Sequence, residues 1–275
     1  MVFPAFVSAS YTSGGSESKI VYNKEDLEGF YYGLRKANKN NNFLWAQLIT
    51  DLKSSPNVSA IIIGKNKTKV ICTADQILRG NVYLGNIFPT KVNNKIKMKL
   101  ETITRKVGHY LSVYGFRGLF GIDFIVDSKN KIYTTDLNPR RQGGYLCNVF
   151  SSKIDIVDME LRLALGEKIK DFDESALKAS YVWAHSKVKP YFHNVRILKE
   201  FKSGEEIQPF EKLGAVFKCI YYPKSAIMMS GNAGYFITSG NEYDTVKNRL
   251  IREMETLISK DFETYEGAYN HNQID

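Results

Sequence analysis

Cysteine, histidine and long apolar runs are scarce in this sequence. Its 275 residues include only Cys72, Cys147 and Cys219, and four histidines. The cysteines are isolated and odd in number, with no C-x-x-C pair. That pattern fits a reduced, cytoplasmic protein without structural zinc. His109, His185, His193 and His271 are too scattered for a metal-ligand set. No Ser-His or Cys-His constellation offers a covalent nucleophile. No apolar run reaches the roughly 20 residues that a membrane-spanning helix needs. The N-terminal stretch MVFPAFVSAS is apolar, but it carries a proline and no basic leading segment, so it does not read as a signal peptide.

What is present suffices for a sizeable core. The composition is 43% hydrophobic, enough for one large domain or two small ones. The formal net charge is +9, a balance that can indicate a nucleic-acid partner. The excess lies largely in RKANKNNN (35–42) and KVNNKIKMK (91–99). Neither segment has interleaved aromatics or a recognisable nucleic-acid module. Both read as solvated loops, and nucleic acid is not an expected partner. A positive field that draws in anionic substrates is a secondary effect.

The densest chemistry lies in GIDFIVDSKNKIYTTDLNPR, residues 121–140. Phe120, Ile122, Phe124 and Val126 alternate with Gly121, Asp123 and Ile125, the period of a half-buried strand. Residues 127–131 are turn chemistry. Ile132, Thr134, Asp136 and Asn138 fall on one face of a second strand at period two. A hairpin with a short loop then sets Asp123 opposite Asp136. Like charges so placed destabilise a sheet unless a cation lies between them. Asn138, two residues on, adds an amide oxygen to the same face. Two carboxylates and an amide oxygen form a hard-oxygen set suited to Mg²⁺, which keeps waters and shares substrate phosphates. Pro139 ends the strand. Arg140 comes next with a fork of donors for phosphate or carboxylate. The plain alternative is an exposed hairpin with solvated acids.

Around this hairpin the chain reads as α+β. Short strands are expected at 3–10 and 17–23, with the glycine turn Ser13-Gly14-Gly15-Ser16 between them, then a helix over 24–38 and a strand at 43–49. This small unit looks like a lid. Strands at 58–64 and 69–77 precede an amphipathic helix over 97–115, with Leu100, Ile103, Val107, Leu111 and Tyr114 at helical spacing and Gly115 as its stop. A second amphipathic helix spans 155–166. From about residue 180 the texture turns to short strands, closed by a helix over 242–262 and a tail. The expected division is 1–50 lid, 51–178 core with the hairpin, 179–265 β-rich segment with its closing helix, and 266–275 tail. A glycine-serine turn alone is a weak signal, but its backbone N–H groups can cradle phosphates. A lid turn plus a distant oxygen cluster could clamp a nucleotide triphosphate from two sides.

The pattern G-x-D-F, a second strand, then D-x-N-P-R resembles the metal hairpin of the ATP-grasp carboxylate-amine ligases. The resemblance covers that family's C-terminal part, the lid plus metal-hairpin half. It implies an ATP-grasp fold: a small lid and a larger, mostly antiparallel sheet flanked by helices. It implies that Asp123, Asp136 and Asn138 hold Mg²⁺ (or Mn²⁺) bridging the ATP phosphates. Arg140 would steady the transferred phosphate, with Arg141 beside it. FPAFVSASYTSGGSESKIV resembles the family's lid strand and flap, so Ser13, Gly14, Gly15 and Ser16 would close over ATP. FLWAQLI resembles the strand entering the adenine hinge, which places Gln47, Leu48 and Ile49 at the base. Gln76 falls where the family has a polar residue near the reaction centre. Three features depart from the family pattern. Ser8 stands where a lid lysine reaches the α-phosphate, with Lys19 as a substitute. Ala46-Gln47 replaces the usual hinge acid. The N-terminal pre-ATP-grasp domain lies outside the sequence. The implied chemistry is ATP-driven formation of an acyl phosphate, then attack by an amine. The implied partners are carboxylate and amine small molecules or peptides, and a separate N-terminal chain or homo-oligomer that completes the site; no membrane is involved. An inactive relative serving as a binding partner is the alternative.

Overall fold

A computed structural model describes residues 2–10, 18–36, 42–79, 82–145, 149, 154–174, 182–188, 218–222, 225–230 and 233–258. The glycine turn at 13–16, residues 189–217 of the region expected to hold short strands, and the tail lie outside the described residues.

The N-terminal unit is a three-stranded antiparallel sheet in the order β2-β1-β3, made of β1 (Ala5–Ala9), β2 (Ser18–Val21) and β3 (Phe43–Gln47). Alternation along β1 buries Ala5, Val7 and Ala9. Ala5 and Val7 pack with Val21 against Leu27 and Phe30 of helix α1 (Lys24–Lys36). A reciprocal cap starts that helix. Asn23 Oδ1 accepts from the Asp26 N–H at 2.8 Å, and Asp26 Oδ2 accepts from the Tyr22 N–H at 2.9 Å. Acids in the first turn and Arg35 and Lys36 in the last suit the helix dipole.

The larger unit is a ten-stranded sheet. Its strands are β4 (Leu52–Ser54), β5 (Pro56–Gly64), β6 (Lys67–Arg79), β7 (Val82–Phe88), β8 (Gly118–Asp127), β9 (Ile132–Asn138), β10 (Val182–Val188), β11 (Lys218–Tyr222), β12 (Ser225–Ser230) and β13 (Ala233–Gly240). They run β11-β12-β13-β10-β7-β6-β5-β8-β4, with β9 pairing β8, and every described pair is antiparallel. Strands on both sides of residue 179 therefore share one sheet.

Helices cover both faces. Helix α2 (Asn94–Val113) lies over Val58, Ala60, Ile62, Phe120, Ile122, Phe124 and Val126. Helix α3 (Ile156–Ala164) sets Ile156 and Met159 on Ile61, Ile63, Ile71 and Leu119 of the other face. Helix α4 (Tyr243–Ile258) buries Val246 and Leu250. Its Arg249 Nη1 donates to the Ser239 carbonyl of β13 at 2.8 Å. Asp75, 7% exposed, ties it further: Thr90 Oγ1 (2.5 Å), the Lys91 N–H (2.7 Å) and Tyr243 Oη (2.8 Å) all donate to that carboxylate.

Two expectations for α2 change. The helix begins inside the Asn/Lys stretch 91–99, where the sequence suggests a solvated loop. Asn93 caps it, its Oδ1 accepting from the Ile96 N–H at 2.9 Å. Burial of Ile96 and Leu100 extends the apolar stripe toward the N-terminus while Lys95 and Lys99 stay exposed. Tyr114, expected in that stripe, is 74% exposed because the helix has already ended. Close approach of α2 to β6 depends on Gly108, where an added Cβ would lie 2.5 Å from Thr68.

Strand β6 outruns β7. Along the part that no described strand covers, Val70 donates its N–H to Glu174 Oε1 at 2.8 Å, and Lys69 Nζ pairs with Asp171 at 2.6 Å.

Candidate functional site

The hairpin of β8 and β9 forms as expected, and Asp123 stands directly opposite Asp136. The route to that register differs from a plain period-two strand. Pairing runs Val126↔Ile132, Ile125↔Tyr133 and Phe124↔Thr134, then shifts by one before Asp123↔Asp136. Thr135 is the extra residue, and its Oγ1 donates to the Asp123 carbonyl at 3.0 Å. This bulge re-aims the remainder of β9. Ile132 packs on the α2 side, whereas Asp136 and Asn138 turn to the opposite face beside Asp123. The expectation that Ile132, Thr134, Asp136 and Asn138 share one face is therefore corrected. Without the bulge, Asp136 would oppose Ile122 and the two acids would lie on different faces.

The three side chains meet. Asn138 Nδ2 donates to Asp123 Oδ2 at 3.2 Å and to Asp136 Oδ2 at 3.0 Å. Asn138 is buried, and Asp136 is exposed to solvent. Burial, then the neighbouring Asp136 charge, pushes the Asp123 carboxyl up from 3.8 to about 6, against the hydrogen bonds of Asn138 and Asn57 and the charge of Arg140. Here the Asn138 amide nitrogen, rather than the expected oxygen, faces the acids. A half-turn of that amide presents its oxygen instead. No three His, Cys, Asp or Glu side chains converge among the described residues; this two-acid, one-amide set could hold a divalent cation. Its donor chemistry matches Mg²⁺, which takes one or two carboxylates and leaves positions for water and phosphate.

The arginines after Pro139 part company. Arg140 is exposed, donates to the Arg141 carbonyl at 2.9 Å and lies close enough to Asp123 to lower its pKa. Arg141 is held by α3: its Nε donates to both Glu160 oxygens at 2.9 and 2.8 Å, and its guanidinium lies 4.9 Å from the Tyr145 ring centre. Tyr145 Oη also donates to Glu160, at 3.2 Å. Burial and Glu160 hold the Tyr145 phenol up at about 12.

Gln76 lies on β6, two strands from Asp123. Its Oε1 accepts from Ser55 Oγ at 2.7 Å, and Ser55 also reaches the Phe124 carbonyl at 3.4 Å. Gln47 ends β3, with Leu48 and Ile49 half-buried just beyond it. Ser8 pairs with Ser18 and Leu44, whereas Lys19 pairs with Val7. Lys19 thus belongs to the α1-facing side of the lid sheet, and Ser8 to the other.

Sequence reasoning missed Gln142, Ser59 and Asn57. Gln142 Nε2 donates to Asp123 Oδ1 at 3.0 Å, and its Oε1 accepts from Ser59 Oγ at 3.0 Å. The available signal was Asn57-Val58-Ser59: two polar residues at period two in a strand buried along almost its whole length. Cys72 is buried, and burial pushes its thiol up to about 12, so it is no nucleophile at neutral pH.

A family model for the ATP-grasp domain matches residues 9–144. Residues 9–144 form an ATP-grasp domain. The metal-type hairpin falls within it, as does the lid from Ala9 onward; the rest of β1 precedes it. The ATP-grasp fold itself extends further. The biotin carboxylase domain of 2-oxoglutarate carboxylase from Hydrogenobacter thermophilus, solved with MgADP and bicarbonate, aligns with 94% of this chain and 57% of its own, at TM-score 0.65 and 16% identity. Carboxyaminoimidazole ribonucleotide synthase from Aspergillus clavatus, solved with ATP, aligns with 93% of this chain and 63% of its own, at TM-score 0.64 and 13% identity. In sequence, the carbamoyl phosphate synthase large chain of Clostridium botulinum is 30% identical over 175 residues, which are 62% of this chain and 16% of that protein. An L-propargylglycine–L-glutamate ligase from Streptantibioticus cattleyicolor is 28% identical over 97 residues, 35% of this chain and 20% of the ligase. The chain thus spans about a sixth of the length of the large chain it matches.

Proposed function

We propose that this ATP-grasp chain binds ATP with Mg²⁺ (or Mn²⁺) and takes part in joining a carboxylate to an amine through an acyl phosphate. The observation that carries the reading is the opposition of Asp123 and Asp136 across one register pair, with Asn138 bonded to both. Two acids held together at the cost of raising one pKa to about 6 make sense as a site awaiting positive charge.

Asp123, Asp136 and Asn138 would hold the cation, whose charge supports phosphoryl transfer. Arg140, whose described hydrogen bond goes to the Arg141 carbonyl, offers its fork to the transferred phosphate or the substrate carboxylate. Arg141, engaged by Glu160, braces the loop that carries Arg140; it serves the substrate only if that ion pair opens. Gln47, Leu48 and Ile49 would border the adenine, and Gln76 would lie near the reacting groups. Ser13, Gly14, Gly15 and Ser16 would close over the phosphates and exclude water. The acyl phosphate forms as a substrate carboxylate oxygen attacks the γ-phosphorus and the bond to ADP breaks. An amine then displaces phosphate.

Calorimetric titration with Mg²⁺-ATP and Mg²⁺-ADP tests the reading, with Asp136→Asn as control. Binding that requires the metal and disappears in the variant is the expected result. Equal binding by wild type and variant removes the metal assignment.

A further inference from the structure

Gln142 belongs to no strand and to no part of the D-x-N-P-R pattern, yet it is only 8% exposed and reaches into the carboxylate pair. It lies flat on Gly121, where an added Cβ would come within 1.9 Å of its amide carbon and oxygen. Only glycine at 121 lets the side chain occupy that place. Both ends of the amide are used. A carboxylate only accepts, so the amide nitrogen faces Asp123 Oδ1 (3.0 Å) and the oxygen faces the Ser59 hydroxyl (3.0 Å). Ser59 is 6% exposed on β5, with Asn57 two residues away also bonding Asp123. Both are set by the strand rather than by a loop.

The terminal torsion of an aspartate is broad and intrinsically two-fold. A carboxylate at a cation site gains from being fixed in rotation before the ion arrives, because partners of metal ligands orient them and their loss weakens binding. We infer that Gln142 is a positioning residue. It pins Asp123 Oδ1 to the β5 scaffold through Ser59 and so keeps Oδ2 turned toward Asp136 and Asn138. This inference rests on the cation-site reading above. It adds that the loop after Pro139 both presents Arg140 and orients a carboxylate.

The probe is Mn²⁺ titrated at fixed ADP, followed by electron paramagnetic resonance, beside ADP titrated without metal. Gln142→Leu keeps the bulk over Gly121 but donates nothing. In Gln142→Leu and Gln142→Ala the Mn²⁺ dissociation constant should rise at least about tenfold, while metal-free ADP affinity stays at the wild-type value. A purely structural role predicts that Leu behaves as wild type and that any loss in Ala affects both titrations alike. A second readout needs no metal. In a urea-denaturation cycle of Gln142→Leu with Asp123→Asn, the midpoint shifts should be non-additive. Wild-type Mn²⁺ affinity in Gln142→Leu, or an additive cycle, overturns the positioning role alone. Absence of Mn²⁺-ADP binding by the wild type overturns the cation reading, and the inference with it.

Discussion

Replacing Asp123 with asparagine should make the metal-free protein more stable at neutral pH. Burial and the Asp136 charge raise this carboxyl from 3.8 to about 6. Each pKa unit is worth a little under about 1.4 kcal/mol, so the roughly two-unit shift means that ionised Asp123 opposes folding by about 3 kcal/mol. Asparagine carries no charge. It keeps one acceptor oxygen for Asn138, Gln142 or Asn57 and loses the other, which returns about 1 kcal/mol. The net gain for Asp123→Asn is about 2 kcal/mol. The sign comes from a folded pKa above the unfolded one. The proton on Asp123 stabilises the wild type fully below pH 3.8, and that contribution is lost as the pH rises through about 6. The variant's advantage therefore opens between pH 4 and 6 and levels off above 7. Urea denaturation of both proteins in EDTA, in steps from pH 4 to 8, measures it. Parallel curves across that range, or a variant less stable than wild type at pH 7.5, would refute the reasoning.

Two further outcomes concern the frame around the site. Tyr243→Phe removes one hydrogen bond to the buried Asp75 carboxylate while Thr90 and Lys91 keep theirs. It should cost about 1.5–3 kcal/mol, the range for a bond to a charged group, read as a lower urea midpoint. Gly108→Ala forces a Cβ within 2.5 Å of Thr68. It should cost about 1–3 kcal/mol by overpacking, and Gly108→Ala combined with Thr68→Ala should recover part of that loss.

The chemistry of the hairpin was legible because its signals are local: two acids, an asparagine and a proline within a short stretch. The single-residue bulge at Thr135 was not. Period-two counting assumes an unbroken ladder, and one inserted residue exchanges the faces of everything on one side of it. Gln142 escaped for a different reason. Its partner Ser59 lies 83 residues away in sequence, and no local pattern encodes a contact that only the sheet brings about. Strand β7, VYLGNIF, is hidden because glycine and asparagine break its apolar run. Its register against β6 and β10 supplies what local propensity does not. The start of α2 is obscured because lysine and asparagine dominate its first turn, while only Ile96 and Leu100 reveal the buried side. The lid was legible from its alternating β1 and its capped α1, and its glycine turn at 13–16 lies outside the described residues.

Strand β6 carries thirteen residues and β7 seven, so among the described residues part of β6 has no neighbouring strand on that side. An open strand edge is a template on which a second molecule can add itself, backbone to backbone. Glu174 occupies the Val70 N–H and Asp171 sits on Lys69. Arg105 pairs with Glu174, and Lys67 adds to Asp171, so ion-paired side chains fill the place where an incoming strand would have to dock. An incoming strand would first have to displace segment 171–174, and the cost of doing so would show in how concentrated the protein can become before it precipitates.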